Sequence, residues 1–167
     1  MLRRLSFLLL SFLFSVPTWA DTAFRQLSIN EEGSRPLNIA VWYPTAETGS
    51  PEKVGDNIVF YGTSALREAK PEAGVHPLLL LSHGYGGNWR NLNWLASAMA
   101  AQGYIVAAVD HPGTTTLNKS PEDAKQLWRR PQDLQRVLAT ILATPSLAGQ
   151  VDTQRIAAAG HSLGGWT

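Results

Sequence analysis

From residue 77 onward, two kinds of apolar pattern alternate along the chain, and this alternation restricts the possible folds more than any other feature. Leu78 to Leu81 is a continuous apolar run, the mark of a strand buried on both faces. Leu92, Leu95, Ala96 and Met99 follow at i, i+3, i+4 and i+7, which predicts a helix over residues 91–102 with Gly103 just past its end. Tyr104 to Val109 reads as a second buried strand. Ser120-Pro121-Glu122-Asp123 reads as a helix start, with serine as the cap and proline in the first turn. Pro131 restarts or kinks that helix. Leu134, Val137, Leu138, Ile141 and Leu142 mark one face of it, and Pro145 lies beyond its end. Arg155 to Gly160 is a last, alanine-rich strand. The order strand, helix, strand, helix, strand requires a mostly parallel sheet with crossover helices, an α/β fold.

Upstream, Phe24 to Ile29 and Leu37 to Tyr43 read as two strands joined by a turn at Glu32-Gly33-Ser34, with Pro44 ending the second. Residues 46–76 form a polar insertion in which only Ile58-Val59-Phe60-Tyr61 is strand-like; a connection of this length is usually functional or flexible. It is read either as part of an acyl pocket or lid, with Phe60 and Tyr61 as apolar wall, or as a solvent-exposed decoration. Trp42, Trp89, Trp94 and Trp128 are expected in the core or at an interface.

The N-terminus reads as an export signal over residues 1–20. Arg3 and Arg4 precede a largely apolar run of twelve residues, Leu5 to Val16, too short for a membrane span, and Pro17 to Ala20 supply a breaker and small residues. The rival reading is a short membrane anchor. An exported chain, periplasmic or secreted, with no membrane span after signal cleavage is the expectation. The formal charge is +1, with 14 basic and 13 acidic residues. Two of those bases fall in the signal, so no basic surplus is left for nucleic acid. There is no cysteine, which excludes disulfides, thiolate metal sites and a cysteine nucleophile.

Ligands of parallel sheets bind beyond the carboxyl ends of the strands. Those ends are Ser82-His83-Gly84-Tyr85-Gly86-Gly87, Asp110-His111-Pro112-Gly113 and Gly160-His161-Ser162-Leu163-Gly164-Gly165, and they hold three of the four histidines. Gly160-His161-Ser162-Leu163-Gly164 matches G-x-S-x-G. Alone this pattern is unspecific. It gains weight after a strand and before a helix, where a strained turn pushes the serine hydroxyl clear of the backbone and Gly160 and Gly164 avoid clashes across it. Ser162 is then a nucleophile, and the backbone N–H groups of Tyr85 and Leu163 are the natural pair to hold an oxyanion. His83, Gly84 and Gly86 shape the first turn, His83 by hydrogen bonds. His161 is expected to point into the fold, away from the hydroxyl, and Asp110-His111 to form pocket wall. The rival readings are a glycine-rich turn with an incidental serine and a tight loop without a catalytic part. No metal or organic cofactor is demanded.

These residues resemble a known family. The strand order, the His83-Gly84-Tyr85-Gly86-Gly87 turn and the Gly160 to Gly165 elbow are similar to the first half of an α/β-hydrolase. Val41-Trp42-Tyr43-Pro44, Leu80-Leu81-Ser82-His83-Gly84, Asp110-His111-Pro112-Gly113, Arg130-Pro131-x-Asp133-Leu134 and Asp152-x-x-Arg155-Ile156 resemble the predicted dienelactone hydrolases, a branch related to platelet-activating-factor acetylhydrolase. Authentic dienelactone hydrolases use cysteine, so Ser162 turns the expectation toward a serine esterase acting on small-molecule carboxylic esters with short to medium acyl groups.

The resemblance also implies a triad in the order Ser, Asp or Glu, His. Only Leu163 to Thr167 follow Ser162 in these 167 residues, and none of them is acidic or histidine. The expectation is therefore an N-terminal part of a hydrolase domain, residues 21–167, stopping after the nucleophile elbow, with the triad acid and base beyond it and the strand ending at Gly160 left as an unpaired edge. The alternative is a truncated, catalytically inactive remnant of such a hydrolase.

Overall fold

The computed structural model describes residues 21–147 and 149–167, so the expected signal over residues 1–20 lies outside them. Strands β1 (Asp21–Ile29), β2 (Leu37–Thr45), β3 (Glu52–Val54), β4 (Thr63–Arg67), β5 (His76–Ser82), β6 (Ile105–Asp110) and β7 (Val151–Gly160) form one sheet in the order β3-β4-β1-β2-β6-β5-β7. The helices are α1 (Asn93–Ala101), α2 (Pro121–Ala124), α3 (Arg129–Ala143) and α4 (Leu163–Trp166), and a 3-10 turn, Trp89–Leu92, leads into α1.

The expected alternation is present. β6, β5 and β7 are parallel neighbours, with α1 linking β5 to β6 and α3 linking β6 to β7. β1 and β2 form an antiparallel hairpin running from Asp21↔Thr45 to Ile29↔Leu37, and β2 joins β6 antiparallel. Period-2 alternation then sorts the buried side chains onto two faces. Leu78, Leu80, Ile105, Ala107 and Val109 pack with Leu134, Val137 and Ile141 of α3. Leu79, Leu81, Val106 and Ala108 pack with Ala96 and Ala100 of α1 and with Phe24, Trp42 and Trp89. Both strands are buried on both sides, which is why their sequences are continuous apolar runs. Trp42 and Trp89 are core residues, whereas Trp94 and Trp128 are exposed.

Two local signals give the expected helix boundaries. Gly103, at φ 89°, follows α1 in the left-handed conformation. The Ser120 side chain accepts from the Asp123 N–H at 3.1 Å and caps α2, with Pro121 in the first turn. The helix stops after one turn, and α3 begins at Arg129 with Pro131 inside its first turn, where a missing N–H costs nothing.

The insertion differs from the expectation. Ile58 to Tyr61 is not a strand. The Asn57 carboxamide accepts the N–H groups of Val59 and Phe60 at 2.8 and 2.9 Å, and the Asp56 carboxylate accepts that of Gly62 at 2.8 Å. Side-chain acceptors thus take the N–H groups a strand would offer to a neighbour. The strands of the insertion lie on either side: β3 pairs antiparallel with β4, and β4 adds parallel to β1. Among the described residues no helix is long and apolar enough to cross a membrane.

Candidate active site

The carboxyl ends of β5, β6 and β7 meet at one edge of the sheet. Ser82 faces Val109 on one side and Gly160 on the other, so the segments after these strands start level. β7 runs straight into the turn that carries Ser162, and α4 begins at the next residue. Ser162 sits at φ 54°, ψ −121°, a conformation that L-residues adopt only under constraint. The constraint comes from close packing. A Cβ on Gly160 would collide with the carbonyl of Gly164, and one on Gly164 with the carbonyl of Ser82. The His161 N–H donates to the Ser82 carbonyl at 3.2 Å, pinning the turn to the end of β5. Ser162 is exposed, and its hydroxyl has no hydrogen-bond partner among the described residues.

The turn after β5 lies against this elbow. A Cβ on Gly84 would stand 3.3 Å from Ser162 Cβ and 3.3 Å from the His161 ring. His161 is therefore not directed into the fold as the sequence suggested. It is exposed, and its ring lies against Gly84, on the side of the turn after β5.

His83 fixes the orientation of the next peptide. Its Nε2 accepts the backbone N–H of His111 at 3.0 Å, so the ring proton belongs on Nδ1, which donates to the Gly84 carbonyl at 2.7 Å. The Gly87 N–H donates to the same carbonyl at 3.1 Å. With both lone pairs held, the Gly84–Tyr85 peptide plane is set. A trans peptide directs its N–H opposite its C=O, so the Tyr85 N–H points away from this network. Gly86, at φ 73°, lets the chain turn, and its N–H donates to the Thr114 carbonyl at 2.8 Å. Among the described residues, neither the Tyr85 N–H nor the Leu163 N–H has a hydrogen-bond acceptor.

Burial lowers the pKa of His83 from the ordinary 6.5 to about 4, against the opposing effect of its bond to Gly84, so the ring is neutral at pH 7. The sign of the resulting pH effect follows directly. The unfolded chain binds this proton more tightly than the folded one, so stability is complete above pH 6.5 and falls as the pH drops toward 4. The full loss corresponds to about 3 kcal/mol. Urea unfolding of the full chain is expected to show this loss between pH 6.5 and 4 and a smaller one in His83→Gln. An unchanged slope in the variant would refute the assignment.

Beneath the turn lies a network that the sequence reading did not assemble. Ser82 and His111 continue the α3-facing series of β5 and β6, after Leu80 and Val109. Ser82 Oγ is 2.9 Å from His111 Nε2, and His111 Nδ1 is 2.8 Å from Asp133 Oδ2. Arg35 donates to the same carboxylate oxygen at 2.6 Å. Burial lowers the pKa of His111 and outweighs the pull of Asp133. A neutral ring then donates from Nδ1 to Asp133 and accepts the Ser82 hydroxyl proton at Nε2. Although Ser82, His111 and Asp133 have the connectivity of a hydrolytic triad, all three are at most 1 % exposed, so no substrate reaches them. His111 is thus a buried network residue with both nitrogens committed, and it does not contact Ser162. Neighbouring Asp110 does line a cleft at the sheet edge. The signal for this network was present in the helix pattern: Arg130 and Asp133 fall in register with Leu134, Val137 and Ile141, placing two charges on the apolar face of α3.

Beside the turn after β5 is an open cleft of about 450 Å³ walled by Ile58, Val59, Phe60, Gly86 and Leu117. The insertion thus reaches the site edge through Phe60. Tyr61, expected in the same wall, is 91 % exposed and does not line the cleft.

A mixed sheet with helices on both faces, carrying a strained serine between strand and helix at its carboxyl edge, defines an α/β-hydrolase fold. Residues 41–167 match the PETase family model, described as PET hydrolase-like, and the chain belongs to that family. Over 94 residues it is 32 % identical to cutinase est1 of Thermobifida alba, covering 56 % of this chain and 29 % of that protein. Over 111 residues it is 25 % identical to the bis(hydroxyethyl) terephthalate hydrolase of Streptomyces coelicolor, covering 66 % and 31 %. Among solved structures, the ferulic acid esterase from Streptomyces cinnamoneus superimposes with a TM-score of 0.71 at 25 % identity, over 90 % of this chain and 54 % of that one. The chain spans about three tenths of the length of the curated relatives it matches.

Proposed function

We propose that this chain supplies the nucleophile and the oxyanion donors of a serine hydrolase that cleaves carboxylic esters with short to medium acyl groups. The observation that carries the reading is the juxtaposition of Ser162 with the Gly84 turn, flanked by two N–H groups that have no acceptor among the described residues. Cutinase, terephthalate-ester hydrolase and ferulic acid esterase relatives all support ester cleavage.

In this reading Ser162 Oγ attacks the ester carbonyl carbon while its proton passes to a base. The carbonyl oxygen becomes an anion held by the N–H groups of Tyr85 and Leu163. The alkoxide leaves with the proton, and water then releases the acyl group from Ser162. In this reading neither His83 nor His111, both committed to buried bonds, is the base, and the triad acid and base lie outside these 167 residues. Residues 21–167 are then the N-terminal part of the hydrolase domain, and residues 1–20 direct export. The Phe60 cleft receives the apolar part of the substrate.

A fluorophosphonate probe tests the reading. In the whole protein it is expected to modify Ser162, identified by peptide mass spectrometry, and excess p-nitrophenyl acetate should slow the labelling. Native protein that leaves Ser162 unmodified would overturn the reading in favour of a catalytically inactive member of the fold.

A further inference from the structure

Arg130 is 1 % exposed and lies under the site rather than in it. Its guanidinium donates to four acceptors on three separate segments. Nη2 donates to the His83 carbonyl and, at 3.1 Å, to Ser82 Oγ, both at the end of β5. Nη1 donates at 2.7 Å to Thr114 Oγ1, in the turn after β6. Nε donates at 2.9 Å to Thr167 Oγ1, which in turn donates at 3.1 Å to the Leu163 carbonyl of α4. No carboxylate forms an ion pair with Arg130 among the described residues. Asp133, which also pairs with Arg35, favours its charge, and Ser82 and His111 link the two groups by hydrogen bonds. Burial lowers the pKa of Arg130 to about 10, so the group stays charged at neutral pH.

We propose that Arg130 is the positioning residue of this site, holding the oxyanion turn, the loop after β6 and the elbow helix in a single register. A planar fork with fixed N–H directions on three nitrogens can serve four acceptors on three segments, whereas an ammonium has fewer donors, all on one nitrogen at the end of a flexible stem. The two N–H groups proposed to hold the oxyanion belong to different segments, one after β5 and one at the start of α4. Their spacing is therefore set by whatever ties those segments together. The β5–β7 pairing and the His161 N–H bond to Ser82 join them through the backbone, and the Arg130 side chain adds a tie that also reaches the loop after β6, acting on the His83 carbonyl at one end and on Thr167 at the other.

The inference rests on the hydrolase reading for its catalytic consequence but not for its structural one, so the test has two arms. Hydrogen exchange by mass spectrometry on the whole protein reads the tie without any activity. Arg130→Lys is expected to speed exchange in residues 83–87 and 163–167 together, beyond any change in the β1–β2 hairpin. Thr167→Val cuts one arm only and is expected to speed exchange in 163–167 while leaving 83–87 unchanged. In the second arm, Arg130→Lys is expected to lower kcat on p-nitrophenyl acetate about tenfold to a hundredfold per folded molecule with KM within about twofold, and to weaken a boronic acid inhibitor in parallel. Exchange in Arg130→Lys that rises uniformly across the chain, or exchange in Thr167→Val equal to wild type, would overturn the proposal. Unlabelled Ser162 with selective exchange changes intact would overturn the hydrolase reading alone.

Discussion

Replacing Ser162 with alanine is expected to reduce kcat/KM on p-nitrophenyl acetate by about four orders of magnitude or more, because the attacking oxygen itself is removed. Its effect on stability should be small. Alanine keeps the Cβ that makes φ 54°, ψ −121° unfavourable, so the elbow carries the same strain in both proteins. Ser162→Gly separates function from fold. Glycine adopts this backbone without the steric penalty of about 1–3 kcal/mol, less the entropy it adds to the unfolded chain. We therefore expect an inactive protein more stable than Ser162→Ala by about 1 kcal/mol, read as a higher urea midpoint at equal slope. Equal midpoints would mean that the elbow is not strained at Ser162. Activity retained in either variant would mean that another group is the nucleophile.

Asp133→Ala is expected to cost about 3–5 kcal/mol of folding stability, the range for breaking a buried ion pair by removing one partner. The carboxylate is 1 % exposed and takes bonds from Arg35 and His111. Its loss leaves the Nδ1–H of His111 without an acceptor and Arg35 without its partner, and removes the negative charge that favours the buried Arg130 guanidinium. Asp133→Asn keeps the volume and one acceptor, so it should lose less. Urea unfolding at pH 7 distinguishes the cases, and an alanine variant within about 1 kcal/mol of wild type would show that the relay contributes no net stability. Asp133 does not touch the substrate site, so activity per folded molecule should fall far less than in Ser162→Ala.

Two positions show what could be read in advance and what could not. The stretch Ile58 to Tyr61 is rich in β-branched and aromatic residues, a good strand by composition. Asn57 and Asp56 redirect its N–H groups into a turn, and the exposed Ile58 and Val59 find no neighbouring strand. Composition misled because local side-chain acceptors competed successfully for the backbone. Arg130 and Asp133 mislead in the opposite sense. Charged residues on a helix are ordinarily solvated, and only their register with Leu134, Val137 and Ile141 marks these two as buried.

The sequence by itself determined the order of strands and helices from residue 77 onward, the two-sided burial of β5 and β6, and the glycine-flanked serine after β7. Each depends on periodicity or on backbone freedom over a few neighbouring residues, and such local constraints are written in the order of the amino acids. Only the tertiary structure decided that Ser82, His111, Asp133 and Arg130 form one relay and that His161 lies outside it. These residues are far apart in the chain, and they meet because sheet register brings Ser82 level with Val109 and Gly160 while α3 turns its two charges inward. Hydrogen bonds act over about 3 Å, so a shift of one residue in that register would abolish the network.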